Sequence, residues 1–238
     1  QVTRTRGLHR ARRQRAPWPV IALVGYTNAG KSTLFNRMTG ADVMAEDLLF
    51  ATLDPTMRQI ALPGLDKAIL SDTVGFVSDL PTQLIAAFRA TLEEVLSADL
   101  IVHVRDIAHP DTDAQRDDVL DVLGELNVVS EGAGEEAPPI IEAWNKLDLL
   151  DDEARALAHE TAARRDDVVI LSALTGEGVD TLQRAISDRM TRGAKIYGLR
   201  IPLSDGAALA WLHEHGEVLS AHVEGEEQRV EARLSDAA

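Results

Sequence analysis

Two glycines five residues apart, followed at once by a lysine and a serine, stand near the start of the chain. This spacing fits a P-loop, in which glycines let the backbone turn tightly and point successive N–H groups at phosphate oxygens. The lysine then neutralises charge on the β- and γ-phosphates, and the serine hydroxyl is a ligand for Mg²⁺. The alternative, a glycine-rich turn without a ligand, leaves the Lys-Ser pair unexplained. The candidate phosphate-binding residues are Gly25, Tyr26, Thr27, Asn28, Ala29, Gly30, Lys31, Ser32 and Thr33.

A second polar segment, Asn145-Lys146-Leu147-Asp148, follows the apolar run 140–144. The carboxylate of Asp148 can accept hydrogen bonds from both N1–H and the 2-amino group of guanine, whereas adenine offers no such pair of donors. A site built on these hydrogen bonds rejects a base that lacks them. We expect Asn145 to tie neighbouring loops together, and we include Lys146 among the nucleotide-binding residues. The P-loop predicts a nucleotide, and this segment predicts that its base is guanine.

Two shorter segments also follow apolar runs. In Asp72-Thr73-Val74-Gly75, Asp72 can hold Mg²⁺ through a water, and the Gly75 N–H can meet a γ-phosphate and respond to its loss. In the segment of Ser172, Ala173 and Leu174, a backbone amide can contact the guanine oxygen. Open α/β sheets bind ligands at the carboxyl ends of their strands, so motifs placed there in chain order reinforce one another.

The polar stretch 50–56 lies between the P-loop and Asp72, where a switch segment would stand. Such a segment needs a threonine whose hydroxyl completes the Mg²⁺ shell, and on chemistry alone Thr52 and Thr56 are both candidates. An ordinary polar loop is the alternative. The candidate nucleotide-binding residues in this stretch are Phe50, Ala51, Thr52, Leu53 and Asp54.

The elements that must position these residues alternate along the chain. Short apolar runs predict strands at 20–24, 60–62, 68–70, 100–104, 140–144 and 168–171. Helical spacing predicts a helix after Gly30 and further helices at 83–96, 112–126, 152–164 and 179–190. This alternation predicts an α/β fold with a mainly parallel sheet and helices on both faces. Beyond residue 192 a strand at 195–201, a helix at 206–213 and strands at 218–223 and 229–234 predict a small α+β domain.

The 238 residues carry a net charge of −15 and no cysteine. Without cysteine, a disulfide framework and a thiolate metal site or nucleophile are excluded, which agrees with a cytoplasmic protein. No apolar run approaches the roughly 20 residues that span a bilayer. Six arginines and no acidic residue lie within residues 1–19, and such a basic arm is either a nucleic-acid contact or a solvated linker. The absence of an initiator Met suggests a piece of a longer chain.

Taken in order, these motifs resemble those of a translation-factor-class GTPase, and their residues are similar to those of the HflX family. The resemblance is carried by GYTNAGKSTLFN at 25–36, FATLDPT at 50–56, DTVGF at 72–76 and DLPTQLIAAFRATLEEV at 79–95. It implies a P-loop GTPase domain and selects Thr52, with Ser32 and Asp72, for Mg²⁺. It also implies that residues 1–16 are the end of a basic helical linker. From the change of pattern along the chain we expect a GTP-binding domain at 17–193 and a small C-terminal α+β domain at 194–238.

The resemblance further implies a cytoplasmic GTPase that binds GTP and GDP and acts on the large ribosomal subunit and its rRNA, in ribosome splitting or rescue. We expect a monomer. Phe76 replaces the water-orienting Gln of Ras-type enzymes, so we expect a weak intrinsic rate. The catalytic residues expected are Lys31, Asn28, Thr52 and Gly75; Asn28 either binds K⁺ or only braces the loop. A P-loop ATPase or kinase and a nucleotide-regulated RNA-binding module remain the alternatives.

Overall fold

The computed structural model describes residues 18–40, 56–73, 75–76, 95, 98–125, 137–191 and 195–234. The arginine arm, the stretch 50–55, Val74 and most of the predicted helix 83–96 lie outside the described residues. The chain divides into a unit spanning Trp18–Met190 and a second unit whose described residues begin at Thr191.

The first unit is built on a six-stranded sheet with the order β2-β3-β1-β4-β5-β6. Only the β2–β3 pair is antiparallel. The strands are β1 (Val20–Val24), β2 (Thr56–Leu62), β3 (Leu65–Asp72), β4 (Leu100–Asp106), β5 (Ile140–Asn145) and β6 (Val168–Ile170). The helices are α1 (Lys31–Thr39), α2 (Thr112–Glu125), α3 (Asp152–Ala162) and α4 (Val179–Thr191), and a single 3₁₀ turn spans Leu147–Leu149. The predicted mainly parallel α/β sheet is therefore confirmed.

Apolar side chains on both faces of β1 explain why this strand is central. Because successive side chains point to opposite faces, Ile21 and Leu23 enter one core while Ala22 and Val24 enter the other. The first core also contains Leu34 and Phe35 of α1 and Leu182 and Ile186 of α4, and the second contains Val119 and Leu123 of α2. Helices thus cover both faces of the sheet.

The strands predicted at 60–62 and 68–70 are confirmed and form an antiparallel hairpin, but both are longer than the apolar runs suggested. β2 begins at Thr56 and β3 ends at Asp72, and Thr56 pairs with Asp72 in the ladder. Most residues in the first half of β2 are exposed, so the hydrophobic pattern predicts only the last residues of this strand, 60–62.

The second unit is a three-stranded antiparallel sheet with the order β7-β9-β8. Its elements are β7 (Lys195–Pro202), α5 (Gly206–His215), β8 (Gly216–Glu224) and β9 (Glu227–Leu234). Leu212 of α5 packs with Ile201, Val230 and Ala232 in a small core. The predicted α+β pattern is confirmed. Among the described helices of both units, none is long and apolar enough to cross a bilayer.

Candidate nucleotide site

The P-loop joins β1 to α1, and its two glycines are required by close approach as well as by backbone angle. Gly25 has φ 152°, and a Cβ there would stand 2.2 Å from the Val104 carbonyl oxygen. Gly30 has φ 95° and precedes α1, where a Cβ would stand 2.2 Å from Asn145 Nδ2. A side chain at Gly25 would push the loop away from β4, and a side chain at Gly30 would displace either the loop or the Asn145 side chain.

Asn145, the last residue of β5, connects the P-loop to the loop after β6. Its Nδ2 donates to the Ala29 carbonyl oxygen at 2.8 Å, and its Oδ1 accepts from the Ala173 N–H at 2.8 Å. The side chain is buried, so both bonds are shielded from water. One residue therefore fixes the spacing between the predicted phosphate-binding and base-binding loops.

Lys31 is the first residue of α1 and is buried, with an exposed fraction of 6%. Burial lowers the pKa of its amine to about 8, an effect that the nearby carboxylate of Asp72 partly opposes. The Nζ atom donates to the Tyr26 carbonyl oxygen at 2.9 Å. A buried ammonium group is suited to an anion, because the negative charge offsets the cost of desolvating the ammonium group.

Ser32 and Asp72 meet at the mouth of the P-loop. The Ser32 hydroxyl donates to Asp72 Oδ2 at 2.7 Å, joining the start of α1 to the end of β3. A hydroxyl and a carboxylate are the hard oxygen donors that Mg²⁺ prefers, so the donor set fits this ion. Thr52, the third predicted ligand, lies outside the described residues, as do Phe50, Ala51, Leu53 and Asp54.

Gly75 and Phe76 lie against the P-loop. The Phe76 N–H donates to the Gly25 carbonyl oxygen at 3.1 Å, and the Thr27 N–H donates to the Phe76 carbonyl oxygen at 2.7 Å. A Cβ on Gly75 would stand 2.8 Å from Thr27 Cγ2 and 3.0 Å from Lys31 Nζ. The glycine thus permits a close approach of this backbone to Thr27 and Lys31.

Thr73 anchors the same segment to the sheet, since its hydroxyl donates to the Leu23 carbonyl oxygen at 2.7 Å. Val74, between Thr73 and Gly75, lies outside the described residues. Asn28 is exposed with φ 61°, a left-handed conformation that asparagine tolerates better than most residues.

The predicted base-reading residues converge after β5 and β6. Asp148 lies in the 3₁₀ turn and accepts a hydrogen bond from the Ser172 hydroxyl. Lys146 has φ 70°, and its Nζ lies 2.6 Å from Asp106 Oδ2 at the end of β4. Asp148 is therefore bonded to the loop after β6, whereas Lys146 is paired with the last residue of β4.

Comparison with known proteins identifies this combination of domains. Residues 20–146 match the family described as 50S ribosome-binding GTPase, and residues 156–237 match the HflX C-terminal domain. A GTPase HflX of Magnetococcus marinus is 46% identical over 95% of this chain and 50% of its own length. The chain belongs to the HflX family of GTPases.

Further comparisons extend this HflX relationship. The GTPase HflX of Escherichia coli is 38% identical over 92% of this chain and 52% of its own length. The chain therefore spans about half the length of the curated HflX relatives that it matches. Among solved structures, a GTP-binding protein from Sulfolobus solfataricus in complex with GDP has a TM-score of 0.55 and 28% identity, covering 73% of this chain and 53% of that chain.

Two polar contacts near the site were not predicted from the sequence. Asp106 forms an ion pair with Lys146, and its position at the end of a buried strand, like those of Asp72 and Asn145, was an available signal. Arg37, in the last turn of α1, donates through Nε to the Ala173 carbonyl oxygen at 3.2 Å. Nothing in the local spacing predicts a bond across 136 residues of sequence.

Proposed function

We propose that this chain binds GTP with Mg²⁺ and hydrolyses GTP to GDP and phosphate, as a switch that acts at the large ribosomal subunit. The observation that carries the proposal is the double hydrogen bond of Asn145, which spaces a phosphate-binding loop against a base-binding loop. Membership of the HflX family, whose relatives are named as GTPases, supports the same conclusion.

In this proposal the P-loop amides and the Lys31 ammonium group hold the phosphates. The buried amine favours a polyanion, since the negative charge offsets the desolvation of the ammonium group. The dipole of α1, which begins at Lys31, adds positive potential at the same point. The binding residues proposed here run from Gly25 to Thr33.

The Mg²⁺ ligands proposed are Ser32, Asp72 through a water, and Thr52 from the switch segment. The contact between Ser32 and Asp72 supports the first two. When bound, Mg²⁺ supplies positive charge to the β- and γ-phosphate oxygens. The Gly75 amide would donate a hydrogen bond to the γ-phosphate. Loss of this phosphate on hydrolysis would release the segments that contain Thr52 and Gly75.

Guanine is read by Asp148, with Asn145, Lys146 and the backbone of 172–174 around it. The Ser172 hydroxyl holds one oxygen of the Asp148 carboxylate, which fixes the direction in which the group faces. A fixed carboxylate discriminates better than a mobile one, because less entropy is lost on binding. ATP, which lacks the matching donors, would bind less tightly.

Hydrolysis would be slow in the isolated chain, because Phe76 replaces the glutamine that orients water in Ras-type enzymes. The Phe76 side chain is buried, with an exposed fraction of 3%, and offers no hydrogen bond to water. The missing charge or water-orienting group would come from K⁺ held at Asn28 or from the ribosome. The exposure of Asn28 at the P-loop supports the first source.

Contact with the ribosome is proposed from the family description, 50S ribosome-binding GTPase. The six arginines within residues 1–19 would meet rRNA phosphates, so the binding should weaken steeply with salt. We also propose that the protein is monomeric and cytoplasmic. Its segments would be the end of a linker at 1–16, a nucleotide-binding domain at 17–193 and a smaller domain at 194–238. Ribosome splitting or rescue is the proposed outcome of the GTP cycle.

The deciding experiment measures GTP turnover with and without purified large ribosomal subunits, first in Na⁺ and then in K⁺, with Lys31→Ala as the inactive control. We expect slow basal turnover, stimulation by the subunits, and a preference for GTP over ATP. GTP binding with no turnover in any condition would leave a nucleotide-regulated RNA-binding module. A preference for ATP would indicate an ATPase or kinase instead.

A further inference from the structure

Arg37 connects the far end of the phosphate-binding helix to the loop that follows β6. Its Nε donates to the Ala173 carbonyl oxygen at 3.2 Å, and its Nη2 donates to the Leu174 carbonyl oxygen. Arg37 lies six residues beyond Lys31, about 9 Å along the axis of α1. The side chain therefore contacts the predicted base-binding loop from the opposite end of α1 to the P-loop.

The guanidinium group also packs against the next turn of this loop. Gly176 has φ 92°, and a Cβ there would stand 3.6 to 3.8 Å from three atoms of the Arg37 guanidinium group. A planar group with several N–H donors can bind two successive carbonyl oxygens and support the backbone beside them. Lysine, with a single nitrogen on a flexible chain, cannot reproduce this arrangement.

Planar peptide geometry carries the effect of these bonds to the other side of the loop. In a trans peptide the N–H points away from the preceding carbonyl oxygen, and the described residues contain no cis peptide bond. With the Leu174 oxygen directed at Arg37, the Thr175 N–H must point away from it. It does so and donates to the Ser172 hydroxyl oxygen at 3.1 Å.

The chain of contacts ends at the carboxylate proposed to read the base. The Ser172 hydroxyl accepts from Thr175 N–H and donates to Asp148, so the orientation of the Leu174–Thr175 peptide determines where the hydroxyl lies. By the same rule, binding of the Ala173 oxygen by Arg37 turns the Leu174 N–H to the opposite side of the loop. Arg37 thus fixes the groups on the loop face that would meet guanine.

We propose that Arg37 is a positioning residue for base recognition, which sets the preference for guanine by holding the 172–176 loop in place. This inference rests on the proposed function, since it assigns a positioning residue to the same guanine site. It predicts a specific loss: base discrimination falls when Arg37 is replaced, while binding of the phosphates to the P-loop is retained.

The test measures dissociation constants of the whole chain and of Arg37→Gln and Arg37→Lys for GDP, ADP and inorganic tripolyphosphate. Arg184→Gln is the matched control, because Arg184 is also exposed on a helix and its ion pair with Asp180 lies within one turn of α4. We expect Arg37→Gln to weaken GDP binding by about tenfold, from the loss of charge-assisted bonds, while tripolyphosphate and ADP are unchanged. Arg37→Lys should fall between Arg37→Gln and wild type.

The melting temperature of each variant without nucleotide distinguishes a positioning role of Arg37 from a general loss of structure. A uniform weakening of GDP, ADP and tripolyphosphate binding would overturn the inference, and so would an unchanged ratio of GDP to ADP affinity in Arg37→Gln. If Arg37→Gln fails to fold, the same ratio measured in Arg37→Lys decides the matter. Absence of a GDP preference in the wild-type chain would instead refute the proposed function, so the two failures are distinguishable.

Discussion

Asn145 Nδ2 lies 2.2 Å from the point at which a Cβ on Gly30 would stand. The same nitrogen donates to the Ala29 carbonyl oxygen, so the P-loop backbone and the β5 terminus are in direct contact. The second glycine of the P-loop is therefore required by its neighbour in space as well as by its left-handed φ of 95°. This contact accounts for the shape of the loop without reference to any bound nucleotide.

Gly30→Ala should abolish this contact and with it nucleotide binding. The added methyl group must displace either the Asn145 side chain or the loop, and both bonds of Asn145 would be lost. We expect GDP affinity, measured by calorimetry, to fall at least about a hundredfold, because two buried hydrogen bonds are broken.

Gly40→Ala is the matched control for this substitution. Gly40 also has a positive φ, 66°, but nothing lies within 4 Å of a Cβ at that position. It should lose about 1 kcal/mol of stability from backbone strain and keep its GDP affinity. Equal GDP affinities in the two variants would show that the contact with Asn145 is unimportant for binding.

Lys31→Met should raise the stability of the chain without nucleotide, and it should abolish phosphate binding. Burial lowers the Lys31 pKa to about 8, so at pH 7 the buried charge costs about 3 kcal/mol relative to the unfolded chain. Methionine fills similar space without that charge. We expect a higher melting temperature in the absence of nucleotide and no further increase on addition of GDP and Mg²⁺.

The pH dependence of stability gives a second measurement of the same effect. Because the folded pKa lies below the unfolded value of 10.5, the unfolded chain binds more protons between pH 8 and 10.5. The free energy of unfolding attributable to Lys31 therefore rises across this range, and this rise should be missing from Lys31→Met. Lys67→Met, on the exposed part of β3, is the control and should follow wild type.

Asp148→Asn should change base preference from guanine to xanthine. Xanthine has a carbonyl oxygen where guanine has its 2-amino group, so a carboxamide can donate where the carboxylate could only accept. We expect GTP affinity to fall by about a hundredfold and XTP affinity to rise, measured by competition against a fluorescent nucleotide. Asp152→Asn, in the exposed first turn of α3, should leave both affinities unchanged. An unaltered preference would remove Asp148 from base recognition.

The motifs could be recognised from the sequence because their chemistry is local in the chain. The spacing of Gly25, Gly30 and Lys31 predicts a phosphate-binding loop, and the apolar residues before it predict the strand β1 that holds it. The same holds for Asp148, which stands just after the buried strand β5. Patterns of this kind predict a site whenever one continuous segment supplies the donors.

Contacts between distant segments could not be predicted in this way. The bonds from Arg37 to the loop after β6 depend on strand order, which brings α1 beside that loop although the residues are 136 apart. The paired backbones of Tyr26 and Phe76 likewise depend on how β3 lies beside β1. Hydrophobic pattern gives the strands but not the order in which they lie in the sheet.

A buried ion network beneath α2 also escaped the sequence analysis. Glu142, on β5, accepts from Arg105 Nη1 at 2.7 Å, from Arg165 Nη2 at 2.8 Å and from the Trp144 indole N–H at 2.9 Å. In sequence the charged residues of β4 and β5 look like interruptions of apolar strands. In the structure they stabilise one another, because each buried charge has a partner.

Glu142→Gln should destabilise the chain and reduce its sensitivity to acid. Burial raises the Glu142 pKa, but the hydrogen bonds from Trp144, Arg105 and Arg165 outweigh it and lower the pKa to about 2. The stabilisation from this carboxylate is complete above pH 4.5 and is lost as the pH falls from 4.5 towards 2. The glutamine variant has no such proton to take up.

At pH 7 we expect Glu142→Gln to lower the free energy of unfolding by about 2 kcal/mol, because the buried Arg105 loses the charge of Glu142 and keeps only the exposed Asp113 as a carboxylate partner. Urea unfolding followed by tryptophan fluorescence at pH 7, 4.5 and 3.5 would measure both effects. The control is Glu160→Gln, whose exposed ion pair with Arg164 joins the last turn of α3 to the residues just beyond it. Its unfolding curves should match those of wild type. If Glu142→Gln lost stability between pH 4.5 and 3.5 as steeply as wild type, another carboxylate would govern acid unfolding.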